Sequence, residues 1–266
     1  MVKGLYTAYT GMVEEQRRLD VTTNNLANSN TVGYKKEGAV NAAFADTMAL
    51  RIKDSSVAMF PRRIGIVNLG DKIGETYTDY SQGSFHVTDK PSDLAIAGDG
   101  FFAIEFLDKQ GNSTVKYTRD GEFTVDNLGY IVTSDGDHLL NQGAAMAGNT
   151  GQGGWVRIDP LQEYSVDQQG FVYQGGAVVA QIGVVDVENT DFLEKYGENM
   201  YNLLPGGTVV DSEAEVEQGA LETSNVNIVD EMVTMITIQR AYEAGQKMIQ
   251  TEDSTIEMAV SQVGRI

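Results

Sequence analysis

The sequence predicts an α+β chain whose N- and C-terminal α-helices form a coiled-coil-like bundle, with a central all-β domain between them in the sequence. Three observations lead there. Apolar residues recur every seven positions near both ends, the interior alternates with period two between glycine-rich turns, and the negative charge gathers in that interior.

From Val2 to Leu26 the apolar positions advance by alternating steps of three and four: Val2, Leu5, Tyr9 and Met12, then Leu19 and Leu26, with Gln16 and Thr23 on the intervening steps. Leu5, Met12, Leu19 and Leu26 therefore line one continuous edge, while the other edge turns polar after Tyr9. A helix with so narrow an apolar stripe gains little alone and calls for a partner. Its end is expected between residues 28 and 33, where Asn, Ser and Thr gather and Gly33 can take the left-handed conformation.

The C-terminal stripe is longer, since Ile228, Met235, Tyr242, Ile249, Ile256 and Val263 stand seven apart. Such persistence predicts a gently supercoiled helix from about Ile228 to Val263. Thr223-Ser224-Asn225 signals its start, and Asp230 and Glu231 suit the positive end of the helix dipole. The alternate seam, Met232, Gln239, Gln246, Asp253 and Val260, is mostly polar at its centre. Small residues, Ala8, Gly11, Ala27, Ala241, Ala244 and Gly245, would let further helices approach closely. The candidate subunit interface is thus Leu5, Tyr9, Met12, Leu19 and Leu26 with Ile228, Met235, Tyr242, Ile249, Ile256 and Val263. A bland alternative is that two amphipathic helices merely cap an ordinary core. Residues 1–35 and 221–266 are assigned to a terminal helical polymerisation domain.

Residues 81–220 read as the all-β domain, with short strands at Leu94–Phe106, Val115–Tyr117, Phe123–Val125, Tyr130–Thr133, Val156–Ile158, Phe171–Tyr173 and Val178–Val187. Asp120-Gly121, Asp135-Gly136, Gly129, Gly170 and Gly175-Gly176 supply tight turns between them. The decapeptide from Phe123 to Val132 echoes that from Tyr164 to Tyr173: aromatic, any residue, Val, Asp, two more, Gly, aromatic. Residues 36–80 are expected to be an extended connector. It opens on a helix-compatible run, Val40 to Ile52, and then passes Ser55-Ser56, Pro61 and Gly65.

Composition narrows the function classes. Cysteine is absent, which removes disulfides, thiolate catalysis and cysteine-held metals. The net charge of −19 argues against nucleic-acid binding, because phosphate contacts need clustered Lys and Arg. Residues 1–40 carry +1 and residues 220–266 carry −4, leaving −16 for the middle, so like-charge repulsion should keep the interior solvated and the ends free to pack. No run approaches the ~18 apolar residues of a membrane span, so membrane insertion is not expected, and no cleavable secretory signal is visible. Catalytic readings are weak. Gly98-Asp99-Gly100 lacks the third glycine of a dinucleotide loop and runs into the strand-like Phe101-Phe102-Ala103-Ile104. Ser134-Asp135-Gly136-Asp137-His138 and Arg119-Asp120-Gly121-Glu122 cluster oxygen ligands without completing a calcium loop. His86 and His138 stand in no zinc or nucleophile spacing. The expectation is a non-enzyme with no cofactor and no metal, the rival being a carbohydrate-binding or carbohydrate-cleaving β protein.

Asn24-Asn25-Leu26-Ala27-Asn28, followed by Thr31, Gly33, Tyr34 and Lys35, resembles the N-terminal motif of flagellar rod and hook proteins. Glu222-Thr223-Ser224-Asn225-Val226-Asn227, then Glu231-Met232-Val233 and Gln239-Arg240-Ala241-Tyr242-Glu243, looks like the C-terminal motif of that family. Leu94-Ala95-Ile96, Gly98, Gly100-Phe101-Phe102 and Tyr117-Thr118-Arg119-Asp120-Gly121 resemble its central signature. Length favours a distal rod subunit, with a proximal rod subunit next and a hook-junction adaptor as a further alternative. The resemblance implies a structural subunit of the basal-body rod, exported by the flagellar type III apparatus. Its partners would be copies of itself and other rod and hook proteins, in a hollow shaft that transmits torque.

Overall fold

The computed structural model describes residues 2–51, 62–108, 111–197 and 199–263, with side chains except at positions 2–3, 49–51, 62–64 and 263. The chain forms two compact units. One, the helical unit, comprises Met1–Ala27, Glu37–Asp79 and Asn227–Ile266; the other, the β unit, comprises Asn28–Lys36 and Tyr80–Val226.

In the helical unit the N-terminal helix spans Val2–Ala27 and the C-terminal helix Ile228–Val263. They lie antiparallel. Gly4 sits beside Glu252, Met12 beside Gly245, and Asn25 reaches Glu231. A Cβ on Gly245 would stand 2.7 Å from Cγ of Met12, so the bare glycine is what lets the helices close here. The C-terminal helix is capped by Asn227, whose side-chain oxygen accepts from the Val229 amide at 3.0 Å, with Asp230 and Glu231 in the first turn. The expected start signal at 223–225 lies upstream of the true cap, and those residues bond elsewhere.

The presumed connector is an antiparallel ribbon. Strand β1 (Glu37–Ala43) pairs with β4 (Asp71–Thr78), and β2 (Thr47–Arg51) pairs with β3 (Arg62–Val67). The run from Val40 is therefore strand and not helix, a case of pairing overriding local propensity. Gly38 shows how. Its partner Tyr77 lays its ring over the bare Cα, where any side chain would collide. Ser55, Ser56 and Pro61, which also figured in the connector, lie outside the described residues.

The β unit holds β5 (Phe85–Val87), β6 (Leu94–Ala97), β7 (Phe101–Leu107), β8 (Ser113–Thr118), β9 (Phe123–Val125), β10 (Ile131–Thr133) and β11 (His138–Leu139). A short helix, Gln142–Ala147, precedes β12 (Tyr164–Val166), β13 (Phe171–Gln174), β14 (Ala177–Gln181) and β15 (Val184–Val187). Then come β16 (Leu193–Tyr196), β17 (Met200–Leu203), β18 (Val209–Asp211), β19 (Glu215–Gln218) and β20 (Ala220–Glu222). The largest sheet runs β16-β17-β8-β7-β11-β10-β9, with β15 pairing both β7 and β18; β12-β13-β14, β19-β6 and β20-β5 complete the pairings. Phe102, Ile104, Phe123, Leu139, Val172 and Ile182 belong to one core cluster and Phe101, Tyr117, Leu140, Val185 and Tyr201 to a second. Alternate residues of β7 thus serve opposite faces.

Three expected strands differ. Gly98 and Gly100, at φ 120° and 147°, divide Leu94–Phe106 into β6 and β7. Val178–Val187 is likewise two strands, β14 and β15. Val156–Ile158 makes only an isolated bridge, Tyr130 with Arg157. The internal echo is structural. β9–β10 and β12–β13 are both antiparallel hairpins, and in each the Asp (Asp126, Asp167) accepts from a left-handed glycine amide (Gly129, Gly170) at 2.9 and 2.8 Å.

Candidate functional site

Two features gather the motif residues, one in each unit. In the helical unit Asn25, almost wholly buried, uses its side chain as a second backbone: Oδ1 accepts from the Glu37 amide at 2.9 Å and Nδ2 donates to the Glu37 carbonyl at 2.8 Å. Strand β1 is thereby fixed to the end of the N-terminal helix. Nδ2 also lies 3.5 Å from Oε2 of Glu231 on the C-terminal helix. Asn24 and Ala27 of the same motif are exposed, and Leu26 is half-buried.

In the β unit the three motifs meet at one carboxylate. Glu222, 1% exposed, receives Nζ of Lys35 at 2.5 Å on Oε1 and Nη1 of Arg119 at 3.1 Å on Oε2. The Gly83 amide donates to Oε1 at 2.8 Å. Lys35 also donates to the Ser81 carbonyl at 2.8 Å, Arg119 to that of Gly98 at 2.8 Å, and the Arg119 guanidinium lies 5.3 Å from the Phe101 ring. Buried charges need polar contacts in place of water, and these carbonyl and ring contacts supply them to Lys35 and Arg119. Asn225 extends the node, with Oδ1 accepting from the Lys36 amide at 2.8 Å and Nδ2 donating to the Ser81 carbonyl at 3.1 Å. Ser224 Oγ accepts from the amide of Val226, itself buried, and Asn28 is bonded to Thr31. Beside the node, burial pushes the Asp120 carboxyl up to about 6, although the Glu122 amide and Asn199 both donate to it.

Gly33 belongs to this node and does not end the helix, which stops at Ala27. Its amide donates to the Glu222 carbonyl at 2.9 Å, its φ is +68°, and an added Cβ would stand 2.5 Å from the Asp120 nitrogen. Gly33→Ala is expected to cost about 3 kcal/mol, from the left-handed backbone and a clash that no side-chain rotation relieves. Urea denaturation of the two proteins would measure it, and a cost under about 0.5 kcal/mol would contradict the close approach.

The predicted interface stripe divides. Leu5, Met12, Leu19, Leu26, Met235 and Ile249 are half-buried in the isolated chain, while Tyr9, Ile228, Tyr242 and Ile256 are exposed. The side chain of Val263 lies outside the described residues. On the C-terminal helix the positions turned toward the N-terminal helix are Glu231, Ile238, Gly245 and Glu252, also seven apart. Of these, Ile238 is 3% exposed. The alternate seam starting at Met232 is therefore not the one the chain closes on itself. Left open on the other side are Val229, Met232, Val233 and Ile236, between 49% and 67% exposed and spaced as one helical face.

The Glu222 node was hidden because Lys35, Arg119 and Glu222 are far apart in sequence and none is unusual locally. A lone charged residue beside each motif's glycine or asparagine was the only available signal.

Comparison with known families agrees with this arrangement. Residues 5–35 match the family described as flagella basal body rod protein, residues 95–174 the flagellar hook protein FlgE/F/G D1 domain, and residues 217–262 the flagellar basal body rod FlgEFG protein C-terminal region. Together with paired terminal helices and a β unit, these matches define the class: a structural protein of the flagellar rod and hook. Within that class the chain belongs to the flagellar basal-body rod proteins, subunits of the flagellar basal body. It is 36% identical to the flagellar basal-body rod protein FlgG of Bacillus subtilis, over 98% of this chain and 99% of the relative. The rod protein FlgF of Caulobacter vibrioides is 34% identical, over 100% of this chain and 98% of the relative. FlgG of Borreliella burgdorferi is 33% identical, over 97% and 98%. Among the described residues no helix is long and apolar enough to cross a membrane.

Proposed function

We propose that this rod subunit polymerises through its two terminal helices, with copies of itself and other rod and hook proteins, into a hollow helical shaft that transmits torque. It acts without catalysis and reaches its place through the flagellar export apparatus. The observation that carries this reading is the open face of Val229, Met232, Val233 and Ile236, which remains after the C-terminal helix has packed its own partner. An apolar face left open to water after the helix has packed its own partner is a surface for another subunit to cover. Tyr9, Ile228, Tyr242 and Ile256, also exposed, extend the same service along the helix pair. A coiled-coil-like bundle would then arise between subunits. The β unit, which holds most of the acidic excess, stays solvated and keeps neighbouring shafts from clinging.

Two substitutions separate the faces. Val233→Asp should leave the melting temperature of the isolated chain within about 2 °C of the parent, since an exposed change costs under about 0.5 kcal/mol. It should nevertheless abolish rod assembly and motility, because the carboxylate would be dehydrated at a subunit contact. Ile249→Asp, at a half-buried position, should weaken assembly and the helix pair together while sparing the β unit. Normal motility with Val233→Asp would refute assembly through this face.

A further inference from the structure

We propose that Glu14 and Asp71 form a carboxyl pair sharing one proton, a pH-operated clasp that fastens the β1–β4 ribbon to the N-terminal helix and loosens when that proton leaves. Both residues lie within the helical unit. Glu14 stands one turn beyond Thr10, whose hydroxyl lies against the bare Cα of Gly70, so this helical face looks at the start of β4. There it meets Asp71, within hydrogen-bonding reach of its side chain. Glu14 is 3% exposed, and its Oε1 is buried with no hydrogen-bond partner.

Among the described residues no cation pairs with it. Arg18, on the same helix, places Nη1 3.1 Å from both carboxylate oxygens of Glu15. On β4 the other charges, Lys72 and Glu75, are exposed. The turn of the C-terminal helix that lies across, as the Met12–Gly245 and Asn25–Glu231 contacts place it, carries Arg240, Tyr242 and Glu243, all exposed. A buried carboxylate without a counter-ion takes up a proton and does not stay charged, and a second carboxylate at hydrogen-bonding distance is the acceptor that proton needs. In agreement, Glu14 is pushed up to about 7, chiefly by burial, then by the hydrogen bond and charge of Asp71, with Arg18 opposing.

The sign follows from linkage. The closed clasp holds its proton more tightly than an opened one, where Glu14 would return to its ordinary value of 4.5. Closure is therefore strongest in acid, weakens as the pH rises through the window from 4.5 to about 7, and is level above it. Within that window one proton makes opening about tenfold more frequent per pH unit.

The test is hydrogen exchange by mass spectrometry on basal bodies purified with the full chain, following peptides from β1 and β4 at about pH 5.5 and about pH 6.5 and correcting for intrinsic exchange chemistry. The parent should open roughly tenfold more at the higher pH, and Glu14→Gln, which copies the protonated carboxyl, should show no such step. Asp71→Asn should shrink the step, because it removes the hydrogen bond and charge of Asp71 and leaves the burial of Glu14 in place. An unchanged parent would overturn the clasp, as would a surviving step in Glu14→Gln or an undiminished one in Asp71→Asn. Failure of Glu14→Gln to assemble would overturn it too, because that variant is locked in the fastened form.

Discussion

Glu222→Gln is expected to cost the β unit about 3–5 kcal/mol, because it removes the carboxylate that the buried Lys35 and Arg119 side chains both pair with. The glutamine keeps the shape and can still accept from the Gly83 amide, so the loss isolates charge from packing. Thermal unfolding should show a melting temperature lower by on the order of 10 °C. Glu217→Gln is the control. It lies on β19, exposed, and should change stability by less than about 0.5 kcal/mol. If the two variants melt alike, the node is not what joins the three motifs.

The second large effect is Ile238→Asp. Ile238 is buried on the face of the C-terminal helix that also carries Glu231, near Asn25, and Gly245, near Met12. Replacing it removes a buried aliphatic side chain and inserts a charge with no partner, together about 4 kcal/mol or more. Circular dichroism should show lost helix while methyl resonances of the β-unit core, such as Val172, stay in place. Val233→Asp, less than two turns away but on the open face, should leave both signals as in the parent. That contrast distinguishes a helix pair closed within the chain from one that forms only between chains; equal loss of helix in both variants would mean the two faces are not separate.

Legibility varied with the range of the interactions involved. The C-terminal helix spans Ile228–Val263, as its heptad repeat predicts, because the repeat lies within the segment, whereas the cap proved to be Asn227 and not the expected 223–225. The twin hairpins at Asp126–Gly129 and Asp167–Gly170 were visible for the same reason: a left-handed glycine three residues after an aspartate closes the turn locally. The β1–β4 ribbon was misjudged. Its alanine-rich start suits a helix, and the strand assignment depends on Tyr77 and its neighbours more than thirty residues downstream.

Sequence alone determined the long helices, the turn-rich β interior and the family motifs, since period, turn chemistry and motif spacing are properties of contiguous residues. Tertiary structure decided which seam of the C-terminal helix faces inward, that Gly33 serves a carboxylate node and not a helix end, and that Glu14 lies buried against Asp71. Those outcomes depend on partners distant in the chain. Burial and the loss of water, which turn a solvated charge into a buried node or a proton-sharing pair, exist only once those partners have met.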